Sequence, residues 1–283
     1  MKYAITGATG KYGQAAIKEL LELTDANNII ALARNVEKGQ KLLPAGVEVR
    51  PGDYNDEAQL EKSLQGVDRL LLVSSLPGQA VDRLEQHQNV LKAAKASGVK
   101  FIAYTSFPAA DQSSEDFVQD HKDTETAIIN SGLDYALLRD NWYLGNETST
   151  IVAASKGEPF VYAAGRAKIG WTNEKYYAIA GAKVLYHSDK KIYELGGKLH
   201  TYAELADAVK EVTGADFKVI SLTPAEYQQQ LIKSGMGEDL AAVITSFQSL
   251  IRTDALDVEG TDLEKVLGYP LPSLTESVKE ILK

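Results

Sequence analysis

Short apolar runs alternate with helix-like segments through the first half of the chain, and this alternation constrains the fold more than any other feature. We expect strands at residues 2–6, 28–34, 47–54, 69–75, 99–106 and 133–139. The segments between them have helical spacing or helix end signals, at residues 14–23, 36–43, 56–64, 84–97 and 124–130. Such alternation with short links is typical of a parallel sheet covered by helices. The sequence therefore predicts an α/β fold, a Rossmann-type doubly wound parallel sheet.

The pattern becomes less regular after about residue 150. We expect short strands at residues 161–165, 168–171, 192–197 and 217–222, and helices at 175–187, 201–214, 223–247 and 274–282. Thr201, followed three residues later by Glu204, forms a capping box at the start of one of these helices. We therefore predict two parts, a Rossmann domain at residues 1–150 and a smaller α/β lobe at residues 151–283, partly interleaved with the first.

The stretch TGATGKYG, residues 6–13, joins the first strand to the first helix and contains three glycines. A tight turn there needs the backbone freedom of glycine. A diphosphate can approach the main chain closely only where no Cβ stands in the way, and a helix starting near Lys11 would point its positive end at it. Because the glycines lie between a strand and a helix, the stretch predicts a dinucleotide site, although its spacing is GxxGxxG rather than GxGxxG.

The residues after the second strand predict which dinucleotide is bound. An acidic residue there would bind the 2′-hydroxyl of the adenosine ribose, but this chain has Arg34 and Asn35. A guanidinium can form a charge-assisted fork with a 2′-phosphate. Lys11 and Lys38 add positive charge nearby. We therefore predict NADPH/NADP+ as the cofactor in preference to NADH, with a surface arginine as the alternative for Arg34.

The ends of the next strands supply further candidate contacts, because ligands of such sheets bind beyond the carboxyl ends of the strands. Asp53 could accept a hydrogen bond from the adenine amino group, or could instead cap the following helix, and Tyr54 could pack on the edge of the adenine. Residues 74–78 could line the ribose and the phosphates. Thr105 and Ser106 end the fifth strand, near the expected position of the nicotinamide.

Composition excludes several other classes of protein. A net charge of −9 disfavours binding to nucleic acid, and the absence of cysteine rules out disulfides and thiol catalysis. No His, Asp and Glu grouping has the spacing of metal ligands, so we predict no metal, and no nucleophile elbow suggests a hydrolase. No segment reads as a membrane span or a signal peptide, and we expect a cytoplasmic protein with no membrane partner.

Several motifs together resemble one known family. They are TGATGKYG, ALARN, GDYND, VKFIAYTS and SGLDYALLRDNWY. The chain is similar in these motifs, and nearly from end to end, to the NmrA-like atypical short-chain dehydrogenases/reductases. Within that family it is most similar to the bacterial NADPH:quinone oxidoreductases of the QorB type, and almost as similar to the triphenylmethane dye reductases.

The resemblance implies a cofactor-binding Rossmann domain and a smaller lobe that covers the acceptor. Carried over by position, the phosphate loop is formed by Gly7, Ala8, Thr9, Gly10, Lys11, Tyr12 and Gly13, and Arg34 contacts the 2′-phosphate. The contacts after the fourth and fifth strands are Ser74, Ser75 and Leu76, then Thr105 and Ser106. Asn141, Trp142 and Tyr143 follow the sixth strand and would flank the nicotinamide.

One departure from this family pattern bears on the chemistry. Classical short-chain dehydrogenases use a Tyr-x-x-x-Lys pair, in which the tyrosine donates a proton. Placed by Glu125, the pair here is Phe117 and His121, or Val118 and Lys122 in the next register. Neither register contains the tyrosine, so oxidation of secondary alcohols is disfavoured. His121 could bind ribose or supply a proton, or could be a polar residue without a catalytic role.

A quinone can be reduced without that tyrosine, because it accepts hydride readily and water can protonate the aromatic anion that forms. The protein then mainly has to orient two rings. Trp142 and Tyr143 are candidate aromatic walls, with packing in the core as the alternative for Trp142. The sequence thus predicts an NADPH-dependent oxidoreductase of quinones or similar small aromatic acceptors. An NADP(H)-binding redox sensor without turnover and a dye- or imine-type reductase remain alternatives.

Overall fold

The backbone of the computed structural model, which describes all 283 residues, forms nine strands and twelve α-helices. The strands are β1 (Tyr3–Ile5), β2 (Ile29–Ala33), β3 (Glu48–Pro51), β4 (Arg69–Leu72), β5 (Phe101–Ser106), β6 (Asp134–Asp140), β7 (Phe160–Tyr162), β8 (Ile192–Leu195) and β9 (Val219–Ser221). The helices are α1 (Lys11–Leu23), α2 (Val36–Leu42), α3 (Glu57–Ser63), α4 (Arg83–Ala96), α5 (Asp116–Ile129), α6 (Thr148–Ser155), α7 (Glu174–Tyr186), α8 (Tyr202–Thr213), α9 (Pro224–Lys233), α10 (Glu238–Arg252), α11 (Leu263–Leu267) and α12 (Leu274–Ile281). Two short 3-10 helices are Ala26–Asn28 and Leu144–Glu147. None of the helices has both the length and the apolar character that a membrane span requires.

Seven of the strands form one sheet in the order β3-β2-β1-β4-β5-β6-β8, and every neighbouring pair is parallel. The chain starts at β1, builds outward to β3, returns to β4 beside β1 and then builds in the other direction. This reversal of direction opens a crevice at the carboxyl ends of β1 and β4, where ligands of such folds bind. The arrangement confirms the doubly wound parallel sheet that the sequence predicts.

Most residues of the inner strands are buried, as expected for strands covered on both faces. All five residues of β2 and all six of β5 are buried. The outer strand β3 has exposed ends and carries Pro51, a residue tolerated at a sheet edge because it has no N–H to donate. Burial of the apolar runs therefore holds the sheet together, and the polar residues that follow each strand are left at its edge.

The chain divides into two compact units, and each unit is made of three segments. The first consists of Met1–Asp140, Glu174–Leu195 and Thr261–Tyr269, and it contains the whole seven-stranded sheet. The second consists of Asn141–Asn173, Gly196–Gly260 and Pro270–Lys283, and it contains the parallel pair β7 and β9. The sequence predicts a boundary at residue 150 with partial interleaving, whereas here the change of unit follows Asp140, and α7, β8 and α11 belong to the first unit.

Several element boundaries differ from the sequence-based expectations. Helix α5 begins at Asp116 rather than at residue 124, and the segment 168–171 forms only an isolated bridge between Ile169 and His200. The predicted helix at residues 223–247 is two helices, α9 and α10, and α6 and α11 were not predicted. The capping box of Thr201 and Glu204 is confirmed.

Candidate functional site

A cavity of about 420 Å³ lies at the carboxyl ends of the strands in the first unit. Its walls come from the segments after β1, β2, β3 and β4 and from the start of α7. Eleven of the residues predicted to bind cofactor line it: Gly7, Thr9, Gly10, Lys11, Tyr12, Arg34, Asp53, Tyr54, Ser74, Ser75 and Leu76. The sheet therefore brings together residues from four separate strand ends, at the point where the strand order reverses.

The three glycines of the first turn have different structural roles. Gly7 has a φ of +59°, a left-handed conformation that favours glycine, and the Gly10 amide donates to its carbonyl at 2.9 Å. A Cβ on Gly13 would lie 2.5 Å from the Gly7 carbonyl oxygen and 2.6 Å from the Ala8 Cα. Gly7 therefore makes the turn, and Gly13 allows α1 to start directly against it. Ala8 is fully buried, and its amide donates to the Leu32 carbonyl.

The start of α1 fits an anionic group such as a diphosphate. Gly10, the residue that precedes the helix, caps it without any side chain, and a Cβ there would meet only the Gly7 carbonyl oxygen, at 3.3 Å. The cavity wall thus exposes main chain at the positive end of a 13-residue helix, with the Lys11 side chain beside it. The Tyr12 side chain points away, because its hydroxyl donates to the Tyr177 carbonyl at 3.1 Å.

Glu174, the first residue of α7, also lines the cavity and was not predicted from the sequence. Its carboxylate accepts a hydrogen bond from the Tyr12 amide, and burial raises its pKa, against the charge of Lys11 and that hydrogen bond. One of the free amides at the start of α1 therefore already has an acidic partner. No local signal could have revealed this contact, since the two residues are far apart in the sequence.

Two cations lie where the adenosine ribose of a bound dinucleotide would be expected. Arg34 follows β2 directly, is exposed, and lines the cavity together with Lys38 of α2. The neighbouring Asn35 has a local role, since its side chain accepts from the Lys38 amide and caps α2. Neither residue directly after β2 is acidic, and Glu37 does not line the cavity, so this end of the cavity suits a phosphate better than a bare ribose hydroxyl.

Asp53 and Tyr54 form the wall after β3. The helix cap is Asp56, whose side chain accepts from the Gln59 amide, whereas Asp53 accepts from the Asn55 amide at 3.0 Å. The Tyr54 hydroxyl donates to the Val73 carbonyl at 2.7 Å. Burial raises the pKa of Tyr54, so the phenol stays neutral. Tyr54 thus links the end of β3 to the end of β4 and fixes the floor of the cavity.

The segment after β4 is held by buried side chains that do not themselves line the cavity. The Ser74 amide donates to Thr105 Oγ1 at 2.8 Å, and the Ser75 amide donates to His87 Nε2 at 3.0 Å. Leu76 is 75% exposed, an unusual position for a leucine and one that borders the cavity opening. Thr105 therefore positions the serine backbone in this structure.

His121 belongs to a buried cluster with Tyr104 and His87. Its Nδ1 lies 2.8 Å from the Tyr104 hydroxyl, and it does not line the cavity. Burial lowers the pKa of His121 well below its usual value and that of His87 to about 3, in each case with the charge of Arg83 adding to the effect. Because His87 Nε2 accepts from Ser75, its Nδ1 carries the proton and donates to Thr124 Oγ1. Both imidazoles are therefore neutral near pH 7.

Ser106 at the end of β5 is held by a buried ion pair. Its hydroxyl donates to Glu125 Oε1 at 2.6 Å, and the same carboxylate forms two bonds with the Arg139 guanidinium, at 2.9 and 2.7 Å. Arg139 also pairs with Glu194 and Asp111. Such a forked pair fixes the serine hydroxyl and stabilises the ends of β5, β6 and β8 together.

The predicted residues after β6 belong to the second unit. The Asn141 amide donates to the carbonyls of Leu256 and Val258, both at 3.2 Å, and its oxygen accepts from the Trp142 amide. Tyr143 forms a bridge with Thr172. Asn141 and Tyr143 therefore fix the backbone on either side of Trp142, whose indole is half-buried.

The Trp142 ring packs against Phe247 of α10, with 5.6 Å between ring centroids and 59° between ring planes. The indole Nε1 donates to Glu147 Oε1 at 3.1 Å. Trp142 follows the last residue of β6 by two positions, so the covalent chain keeps it within about 8 Å of the carboxyl end of that strand. Glu147 was not recognised from the sequence, where it falls in an irregular segment.

Comparison with known proteins gives consistent similarities along the whole chain. Residues 7–170 match a protein family described as NAD(P)H-binding. Quinone oxidoreductase 2 of Escherichia coli (strain K12) is 38% identical over 281 residues, which cover 98% of this chain and 98% of that protein. These similarities confirm the resemblance to bacterial quinone oxidoreductases that the sequence motifs indicated.

Solved structures agree with the sequence comparison. The crystal structure of the NADPH-dependent quinone oxidoreductase QOR2 from Escherichia coli complexed with NADPH has a TM-score of 0.91 and 37% identity, covering 99% of this chain and 100% of that chain. The triphenylmethane reductase of Citrobacter sp. complexed with NADP(H) has a TM-score of 0.92 and 33% identity, with the same coverage.

Proposed function

The chain belongs to the NAD(P)H-binding family and is an oxidoreductase, and on this premise we propose that it transfers hydride from NADPH to quinones or similar small aromatic acceptors. The observation that carries the proposal is the composition of the cavity. It combines a bare glycine turn at a helix start with two cations, Arg34 and Lys38, after β2. Similarity to one quinone reductase and to one dye reductase supports aromatic compounds as the class of acceptor.

In this proposal each part of the cavity has a separate task. The turn at Gly7 and the start of α1 bind the diphosphate, and Arg34 with Lys38 binds the 2′-phosphate. Asp53 and Tyr54 border the adenine, and the Ser74–Leu76 segment borders the ribose. NADPH, when bound, supplies the hydride. Trp142 and Tyr143 give the acceptor aromatic surface to lie against.

The absence of a tyrosine acid at position 117 or 118 fits such acceptors. Hydride addition to a quinone gives a stabilised aromatic anion that takes up one proton from water, so the protein needs chiefly to orient the two reactants. The low pKa of His121 agrees with this, because its imidazole is already neutral near pH 7. Secondary alcohols are poor candidate substrates, because their oxidation needs a positioned base.

The proposal is tested by NADPH oxidation with a panel of quinones, a triphenylmethane dye and an imine. We expect turnover with quinones and a much slower reaction with NADH. If the protein reduces the dye or the imine faster than the quinones, it is a dye or imine reductase instead. Tight NADPH binding with no turnover on any acceptor would instead identify a redox sensor, a function that the missing tyrosine also permits.

The cofactor assignment predicts a selective effect of Arg34→Ala. Loss of a charge-assisted fork to phosphate should weaken NADPH binding by about 10-fold to 100-fold, while NADH binding changes little. Isothermal titration with both cofactors measures this. Lys41→Ala is the matched control, because Lys41 is an exposed cation of the helix α2 that follows Arg34 and does not line the cavity. An unchanged ratio of the two affinities in Arg34→Ala would refute the assignment.

A further inference from the structure

The side chains of Trp142 and Tyr202 in the second unit both belong to one buried hydrogen-bond network. Glu147 Oε1 accepts from Trp142 Nε1 at 3.1 Å and from the Tyr202 hydroxyl at 2.8 Å. Tyr202 in turn accepts from Gln248 Nε2 at 2.7 Å. Gln248 follows Phe247 directly, and its oxygen accepts from two backbone amides, those of Ala163 and Ala164. The network thus joins the Trp142 segment to α8, to α10 and to the end of β7.

Burial of the Glu147 carboxylate lowers the stability of the folded protein. The residue is 7% exposed, and its carboxylate forms no ion pair with a lysine, arginine or histidine. Removing a carboxylate from water without a cation costs free energy, and two hydrogen bonds offset that cost only in part. A glutamine has the same shape without the charge, so packing alone does not account for an acid here. Proteins depart from such rules of stability at functional sites.

We propose that Glu147 is a positioning residue, whose carboxylate holds the Trp142 indole at the angle that presents its face to an aromatic acceptor. The inference rests on the proposed function, since it concerns how the acceptor of that reaction is held. The indole packs on Phe247 at 59°, so one of its faces is covered in part while the ring remains half-buried. The hydrogen bond from Nε1 to Glu147 adds a directional restraint on the ring to this packing.

The strength of that hydrogen bond depends on the charge of the acceptor. An indole N–H bonded to a carboxylate makes a charge-assisted bond, roughly twice as strong as one to a neutral acid or amide. Burial raises the pKa of Glu147 to about 6, although the bonds from Tyr202 and Trp142 oppose the rise. The other titratable groups that act on it are Tyr202 of α8 and Tyr227 of α9, both neutral phenols. The indole should therefore be held firmly above about pH 6 and more loosely below it.

Kinetics of Glu147→Gln across the pH range test the inference. With 1,4-naphthoquinone as acceptor, the KM of the wild-type protein should rise by about fivefold below pH 6, with kcat changing less. In Glu147→Gln the KM should stay at the higher value at every pH, and the affinity for NADPH should not change. Glu158→Gln, an exposed acid of the same unit, should behave like the wild type. A wild-type pH step in the KM of Glu147→Gln would overturn the inference.

Fluorescence separates a failure of this inference from a failure of the proposed function. The chain has two tryptophans, so the difference between the wild type and Trp142→Phe reports the Trp142 indole. Its emission should shift near pH 6 in the wild type and show no shift in Glu147→Gln. If no acceptor is turned over, the proposed function fails, yet this shift still tests the link between Glu147 and Trp142. Absence of the shift in the wild type would refute the link whatever the activity.

Discussion

At the scale of single residues, one motif contains positions with distinct physical tasks. Gly7 adopts a left-handed backbone, Gly10 precedes the helix, and Gly13 lets the helix approach the turn. The sequence predicts the turn and its place after β1, because glycine spacing and the flanking apolar run are local signals. It cannot predict that Glu174 meets the Tyr12 amide or that Glu147 meets Trp142. Those contacts depend on how distant segments pack.

Gly13→Ala should destabilise the protein and weaken cofactor binding together. The added methyl group would overlap the Gly7 carbonyl, so the helix start has to move, at a cost of about 1–3 kcal/mol. Urea unfolding and NADPH titration measure the two effects. Gly145→Ala is the control, since nothing lies within 4 Å of a Cβ there. Equal stability of Gly13→Ala and Gly145→Ala would contradict this account of the turn.

At the scale of elements, the sequence predicts whether a segment is a helix or a strand better than it predicts where the element ends or which other elements it contacts. Helix α5 begins eight residues earlier than expected, because its first turns are mostly polar and their burial of Val118 and His121 is a tertiary effect. The sequence does not predict helix α6, TSTIVAAS, because its β-branched residues do not favour a helix. Helices α1 and α7 were both predicted, yet nothing in either sequence indicates that Gly181 lies against the Tyr12 hydroxyl.

The contact between α1 and α7 can be tested with a double-mutant cycle. Gly181→Ala should destabilise the protein by about 1–3 kcal/mol, because a Cβ would collide with the Tyr12 hydroxyl. Tyr12→Phe removes that oxygen, and in its background Gly181→Ala should cost clearly less. The two changes are thus expected to be coupled by about 1 kcal/mol or more in urea unfolding. Simple additivity of the two changes would show that the helices do not meet at this point.

At the scale of the whole molecule, the doubly wound parallel sheet follows from the alternating pattern, and a cavity lies at the carboxyl ends of its strands. The division of the chain is harder to predict, because segments 174–195 and 261–269 join the first unit from far along the sequence. The pKa values of the buried titratable groups also depend on the whole structure, because burial is set by distant segments. His87 and His121 have lowered pKa values, whereas that of Glu147 is raised.

These shifts predict a stability that falls with acid. A buried histidine with a depressed pKa contributes stability that is complete above about pH 6.5 and is lost as the pH falls towards its folded value, about 3 for His87. Each such group gives a slope of about 1.4 kcal/mol per pH unit within that window. Glu147 acts in the opposite sense between about pH 4.5 and 6, but the two histidines outweigh it.

Urea unfolding between about pH 7 and pH 4 measures this dependence. His87→Gln keeps an acceptor for Ser75 and removes one titrating group, so its stability should fall less steeply with acid. His187→Gln, in an exposed position, should keep the wild-type slope. Identical slopes in all three proteins would mean that His87 does not carry a depressed pKa.

The chain crosses from one compact unit to the other five times, since each unit is assembled from three separate stretches. No single cut in the gene can therefore release either half intact. A fragment ending near residue 140 would lack α7 and the outermost strand of its own sheet. Recombination could exchange the second unit between relatives only by replacing three stretches of the gene at once.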